Sequence, residues 1–207
     1  MNQLLNTIIS ASVEAGEEIL KIYKTDFKVE YKEDKSPLTR ADMKANEVIM
    51  SYLSETNIPV LSEEGRSIPY AERKNWKELW IVDPLDGTKE FVKKNDEFTV
   101  NIALIREGIP VMGVIYAPVP DELYFGMQDF GSYKIEKASE IIEKNKDFMK
   151  HALKLPLKQE KSYYGIVASR SHLSQETTKY IDEIKKQRKH IKIISKGSSL
   201  KLCMIAE

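Results

Sequence analysis

Asp83-Pro84-Leu85-Asp86-Gly87-Thr88-Lys89-Glu90-Phe91 follows directly on the apolar run Leu79-Trp80-Ile81-Val82, and the reading of this stretch decides the fold. A strand-forming run ends in a carboxylate, and Pro84 then removes a backbone donor, so the strand is expected to close at Asp83 and the chain to turn. Asp83 and Asp86 can face one small volume in that turn, and two like charges held together need a cation or a shared proton. A hard divalent ion with oxygen ligands is the natural partner, and the Leu85 carbonyl is placed to join it. Gly87 permits close backbone approach. The N–H groups of Gly87 and Thr88, if they open a helix, suit a phosphate oxygen. The D-P-x-D-G run is also ordinary turn vocabulary, in which Pro and Gly set angles and Asp bonds locally.

Working upstream, Ile58-Pro59-Val60-Leu61 reads as a second short strand and ends in Ser62-Glu63-Glu64-Gly65. Two strands with acids at matching ends make an acidic cluster. Before it, Ser36-Pro37-Leu38-Thr39-Arg40-Ala41-Asp42 leads into Met43, Val48, Ile49 and Leu53, which have helical spacing. Thr39-x-x-Asp42 is a capping-box pattern, and a first-turn carboxylate is favoured by the helix dipole. Such a carboxylate can still point into a cleft, so capping and a site role both stay open for Asp42.

The remaining elements follow from periodicity. Leu4, Leu5, Ile8, Ile9, Val13, Ile19, Leu20 and Tyr23 predict a long amphipathic first helix, and residues 40–55 a second. Downstream of the acidic turn, Phe98 to Ile105, Val111 to Ala117, Leu123 to Gly126 and Tyr133 to Ile135 are β-type runs separated by turn residues, a meander. Residues 137–161 are rich in Lys and Glu and are read as a solvated helix, an insertion or a joint. The tail reads strand, helix, strand, helix: Tyr163 to Ala168, Gln175 to Gln187, Ile191 to Ser195, and onward from Ser198. That order implies a parallel pair. The expected organisation is an α+β unit over 1–136, a connector over 137–161 and the start of an α/β unit over 162–207, with the substrate cleft between the parts.

Composition narrows the class. With 207 residues, 42% hydrophobic and 31% charged, the chain can bury a substantial core. Thirty-two basic and 32 acidic residues cancel, so no overall field draws it to nucleic acid or an anionic membrane, and phosphate recognition must be local. Cys203 is the single cysteine, in the apolar context Leu202-Cys203-Met204-Ile205, which favours a buried thiol in a reducing compartment. No stretch reaches membrane-spanning length, so a cytoplasmic protein is expected, with peripheral membrane association left open.

The acidic motifs together resemble the inositol monophosphatase superfamily, the Mg²⁺-dependent, Li⁺-sensitive phosphatases with an E-E pair and a D-P-[IL]-D-G-T run. The run from Trp80 to Val92, the segment Asp96-Glu97-Phe98-Thr99-Val100-Asn101 and the segment Gly197-Ser198-Ser199-Leu200-Lys201 look most like its bacterial CysQ branch, the 3′(2′),5′-bisphosphate nucleotidases. The resemblance implies a layered α-β-α-β sugar-phosphatase-like fold and two or three Mg²⁺ ions. It implies Glu63, Asp83, the Leu85 carbonyl and Asp86 as metal ligands, and Glu63, Asp42 and Thr88 as the catalytic groups, with Asp42 binding a further ion or helping to activate water and Thr88 as its hydrogen-bonding partner. Glu64 reads as a neighbour of the ligands, and Lys89 and Glu90 as exposed charges.

For the substrate, the resemblance implies Asp86, Gly87, Thr88, Ser198 and Lys201 around the phosphates and His172 near base and sugar, with Arg170 a further candidate phosphate ligand. Outside that context His172 is an ordinary loop residue and Lys201 a charge on an amphipathic helix. The implied reaction converts adenosine 3′,5′-bisphosphate to AMP and phosphate, with its 5′-phosphosulfate as a second substrate and sulfur assimilation as the setting. Two alternatives stand beside it: an inositol or sugar monophosphatase, and a non-catalytic metal- or nucleotide-binding module. The helical pattern is still running at Ile205-Ala206-Glu207, so a further C-terminal portion is expected to be missing; the resemblance implies that this portion carries another metal-binding aspartate, and hence reduced turnover without it.

Overall fold

The computed structural model describes residues 3–27, 29–31, 37–144, 147–157, 162–170 and 173–207. In chain order the elements are α1 (Gln3–Tyr23), β1 (Val29–Tyr31), β2 (Pro37–Thr39), α2 (Arg40–Leu53), β3 (Val60–Ser62), the single turn α3 (Tyr70–Arg73), β4 (Glu78–Asp86) and α4 (Thr88–Val92). The meander follows as β5 (Thr99–Arg106), β6 (Ile109–Ala117), β7 (Glu122–Met127) and β8 (Gly131–Glu136), then α5 (Ala138–Glu143) and β9 (Leu153–Lys154). The tail is β10 (Tyr164–Ser169), α6 (Gln175–Gln187), β11 (Ile191–Lys196) and α7 (Leu200–Ala206).

One seven-stranded sheet runs β3-β4-β5-β6-β7-β8-β9. It is antiparallel throughout except at β3–β4, where the strands lie parallel with Ser62 opposite Val82. Short turns join β5 through β8, while longer connections carry α4 between β4 and β5, α5 between β8 and β9, and α3 between the parallel strands β3 and β4. β10 and β11 form a separate parallel pair with Ser169 opposite Lys196, as a strand–helix–strand order requires.

Helices α1 and α2 pack on each other and cover one face of the large sheet. Leu5, Ile8, Ile9 and Ile19 of α1, with Ile49 and Leu53 of α2, meet Trp80, Val82, Val100, Ile102, Leu104 and Val114 in one buried core. Strand alternation turns Ile81, Asn101 and Ala103 to the other face, where they border an open groove of about 760 Å³ that also touches Asp83, Ser199 and Leu202. The helix–sheet spacing depends on Gly16, because a Cβ there would run into the ring of Tyr116. That ring is 1% exposed and its hydroxyl donates to Asp121 at 2.9 Å, so it cannot swing away. Gly16→Val is therefore expected to cost about 2–3 kcal/mol by overpacking, read as a lower midpoint in chemical denaturation with an unchanged slope.

Three readings of the sequence change here. β4 does not stop at Asp83: pairing resumes at Asp86 opposite Thr99, across a register shift that holds Pro84 and Leu85. A bulge is where a strand tolerates a missing donor, so Pro84 bends the ladder instead of ending it. The Lys- and Glu-rich stretch from 137 is only partly a solvated face, since Ala138, Ile141 and Phe148 enter the core and β9 joins the sheet. Glu90 is 5% exposed, not an outward charge. Gly197 packs so closely on its side chain that a Cβ at Gly197 would stand 2.6 Å from Glu90 Cγ.

Candidate active site

β3 and β4 deliver the acids side by side. The Glu63 N–H donates to the Val82 carbonyl at 3.0 Å, which extends the parallel register by one residue and sets Glu63 beside Asp83. Asp83 sits at the start of the bulge, and its Oδ1 is a buried atom with no hydrogen-bond partner. Burial, then the charges of Asp86 and Glu63 and a hydrogen bond with Glu63, push the Asp83 carboxyl up to about 8. The backbone N–H of Leu85 opposes that shift. An orphaned carboxylate oxygen beside two more acids is a donor set short of a cation.

Asp86 is aimed differently. Its Oδ2 accepts from Ser198 Oγ at 2.7 Å, from the Ser199 N–H at 2.7 Å and from Ser199 Oγ at 2.8 Å, with Thr99 Oγ1 at 3.5 Å. Thr99 Oγ1 also meets Ser198 Oγ at 2.7 Å, and Asn101 Nδ2 donates to Ser199 Oγ at 2.9 Å. One oxygen of Asp86 is thus pinned to the start of α7. Among the described residues, no three His, Cys, Asp or Glu side chains close into a ready metal cage. The oxygen donors nonetheless suit a hard divalent ion: Glu63, Asp83, the Leu85 carbonyl and the free side of Asp86, with water completing the shell.

Asp42 caps α2 through one oxygen and turns the other toward the acidic turn. Thr39 donates to Oδ2 through its N–H at 2.8 Å and its hydroxyl at 2.6 Å, while the Ala41 N–H donates to Thr39 Oγ1, which completes a capping box. Oδ1 faces the bulge, where Thr88 Oγ1 lies 3.2 Å away. Thr88 Oγ1 is also 3.2 Å from the Leu85 carbonyl, so one hydroxyl bridges Asp42 to the proposed ligand. Burial raises the Asp42 carboxyl, against the bonds from Thr39 and Thr88. Gly87, between Asp86 and Thr88, has φ +91°, and a Cβ would stand 2.9 Å from the Glu97 carbonyl, so only glycine fits.

The other expected residues divide. Ser198 is buried and holds Asp86, and Lys201 is half-buried with its ammonium on the Ser198 carbonyl, so both belong to this cluster. Arg170 is taken: it forms a two-pronged pair with Glu97, Nε to Oε2 and Nη2 to Oε1, both 2.8 Å. That pairing turns two of its three nitrogens to Glu97. His172 lies outside the described residues. Thr99, Asn101 and Ser199 were not singled out from the sequence, although alternation along β5 puts Thr99 and Asn101 on one face.

The inositol monophosphatase family model matches residues 1–207. The chain belongs to that family. It is 42% identical over 99% of its length to the 3′(2′),5′-bisphosphate nucleotidase CysQ of Buchnera aphidicola, covering 72% of that protein. The CysQ nucleotidase of Salmonella typhimurium is 38% identical over 99% of this chain and is covered to 77%. Among solved structures, CysQ from Bacteroides thetaiotaomicron superimposes with a TM-score of 0.82 at 46% identity, over 98% of this chain and 76% of that one. The Thermotoga maritima IMPase, at 22% identity and TM-score 0.72 over 97% of this chain and 71% of that one, shares the fold. The layered mixed sheet with its paired helices is the architecture of these neighbours. No helix among the described residues is long and apolar enough to cross a membrane.

Proposed function

We propose that the chain hydrolyses the 3′-phosphate of adenosine 3′,5′-bisphosphate, giving AMP and phosphate, and acts on the 5′-phosphosulfate analogue by the same chemistry. The observation that carries this reading is the buried, unpartnered Asp83 Oδ1 flanked by Glu63 and Asp86. Glu63, Asp83, the Leu85 carbonyl and Asp86 would hold Mg²⁺ ions, two or three in number. When bound, such ions neutralise charge on the transferring phosphoryl group and lower the pKa of the attacking water.

The chain's own residues carry the remaining work. Asp42, locked by its cap, orients the Thr88 hydroxyl, which can accept a proton from the attacking water as its own passes to Asp42 Oδ1. Glu63, beside Asp83, is the second acid that helps activate the water. Water attacks phosphorus, the bond from phosphorus to the 3′ oxygen breaks, and that oxygen takes a proton from a second, solvent water to leave as the ribose hydroxyl. Gly87 and Thr88 lie against the reacting phosphate, and Ser198 and Lys201 on the side of the phosphate that stays. In this reading residues 1–136 carry the metal ligands, 162–207 the substrate side, and His172 approaches base and sugar. A cytoplasmic setting belongs to the same proposal. It accords with the one cysteine, Cys203, being buried and its thiol pushed up to about 12, chiefly by burial.

The CysQ relatives favour the nucleotide over inositol phosphate as substrate. Phosphate release in Mg²⁺ from adenosine 3′,5′-bisphosphate and from inositol 1-phosphate tests this. The expected result is a kcat/KM at least tenfold higher on the nucleotide, and the reverse order would select the inositol phosphatase reading.

A further inference from the structure

Asp86 is not the only carboxylate that ties the large sheet to the β10–β11 pair. Glu97, just ahead of β5, is 6% exposed and gathers four donors from the far side of the cleft. Arg170, at the end of β10, gives the two 2.8 Å bonds described above, and its Nη2 also donates to the Ser195 carbonyl at 3.0 Å. The Gly197 N–H donates to Glu97 Oε2 at 2.8 Å, and the Lys196 ammonium lies 3.4 Å from Oε1. Burial alone would raise this carboxyl, but the Arg170 bonds, the Gly197 N–H and the Lys196 charge outweigh it and hold the pKa low. A buried carboxylate satisfied this fully is a rigid anchor.

What it anchors is the turn that grips Asp86. Ser198 has φ +54°, a left-handed conformation that a residue with a Cβ adopts only when its surroundings impose it. The imposing contacts are the Gly197 N–H bond to Glu97 on one side and the Ser198 hydroxyl, shared by Asp86 and Thr99, on the other. The Glu97 backbone abuts both loops as well: its carbonyl is the nearest atom to a Cβ built on Gly87, at 2.9 Å, and stands 3.1 Å from one built on Gly197. We infer that Glu97 is a positioning residue that sets the aim of Asp86 by fixing the Lys196–Ser199 turn. This deepens the metal-site reading above and rests on it.

The test uses the full chain as wild type, Glu97→Gln, Glu97→Asp, Arg170→Gln, Ser199→Ala and the Glu97→Gln/Ser199→Ala double variant. Amide hydrogen exchange at Ser199, measured without metal, should quicken at least tenfold in Glu97→Gln and partly recover in Glu97→Asp. Calorimetric titration with Mg²⁺ should show at least fivefold weaker binding in Glu97→Gln. The double variant should be no weaker than the worse single one, because both changes act on one contact set. Arg170→Gln, whose side chain is 47% exposed, should shift both readouts the same way by less and decides the matter if Glu97→Gln fails to fold. Unchanged Ser199 exchange overturns the inference. So does faster exchange with unchanged Mg²⁺ affinity, or fully additive loss in the double variant. If wild type binds Mg²⁺ no better than Asp83→Asn, the metal-site reading fails instead, while the metal-free exchange arm still decides whether Glu97 anchors the turn.

Discussion

Asp83→Asn should lower hydrolysis of adenosine 3′,5′-bisphosphate by about 10³-fold or more and, in the same molecule, make the metal-free protein more stable. Both effects follow from one atom. Asp83 Oδ1 is buried without a partner, and its carboxyl is raised to about 8 by burial and by the charges of Asp86 and Glu63. In the unfolded chain an aspartate ionises near its ordinary value of 3.8. The folded-state pKa is therefore the higher one. The contribution of this group to stability is full below about pH 4 and is lost as pH rises toward 8. The loss amounts to about 2–4 kcal/mol, less than the isolated shift would give, because solvent and nearby dipoles relax around the ionised group. Mg²⁺ should remove it by taking the proton's place, so the Mg²⁺-induced rise in Tm should grow from pH 5 to pH 8. Asparagine cannot ionise. Asp83→Asn should flatten that pH profile, raise the metal-free Tm at pH 8 by about 4–16 °C and abolish the Mg²⁺-induced shift. Thermal unfolding at several pH values with and without Mg²⁺ checks all three.

Thr88→Val should cost about 10²–10³-fold in kcat with a much smaller change in KM. Its hydroxyl touches both Asp42 Oδ1 and the Leu85 carbonyl, each at 3.2 Å, and valine keeps the shape while deleting the oxygen. Asp42 Oδ1 then loses a bond, but the capping box through Oδ2 stays, so α2 should remain folded with a stability loss of about 1 kcal/mol. Thr88→Ser should restore most of kcat. A loss confined to KM would show that the hydroxyl serves binding and not the chemical step, and equal loss in Thr88→Ser would show that the fit of the whole side chain, not the hydroxyl alone, is what matters. Steady-state kinetics on the three proteins distinguishes these outcomes.

The elements themselves were largely legible, because each has a strong local cause. The 3.6-residue apolar spacing in α1, the Thr39–Asp42 cap of α2 and the strand–helix–strand–helix order of the tail each correspond to an observed element. The parallel register of β3 with β4 explains why acids at two strand ends meet: it sets Glu63 beside Asp83. What escaped local reading depends on partners far along the chain. Glu97 pairs with Arg170 and Gly197, and Asp86 with Ser198 and Ser199, over separations of 73 to 113 residues. No spacing pattern in one sequence encodes such pairs. The burial of Glu90 has the same origin, since Gly197, far along the chain, lies against it. Pro84 misled for a different reason: its missing donor falls inside a bulge, where β4 had no ladder bond to lose.

A Mn²⁺ soak of the crystallised protein, read by anomalous diffraction, tests the central claim most directly. An anomalous peak bonded to Asp83 Oδ1, with Glu63 and the Leu85 carbonyl in the same coordination shell, is the result the account predicts. A map with no peak there, or with Mn²⁺ held elsewhere while Asp83 keeps its proton, would contradict it.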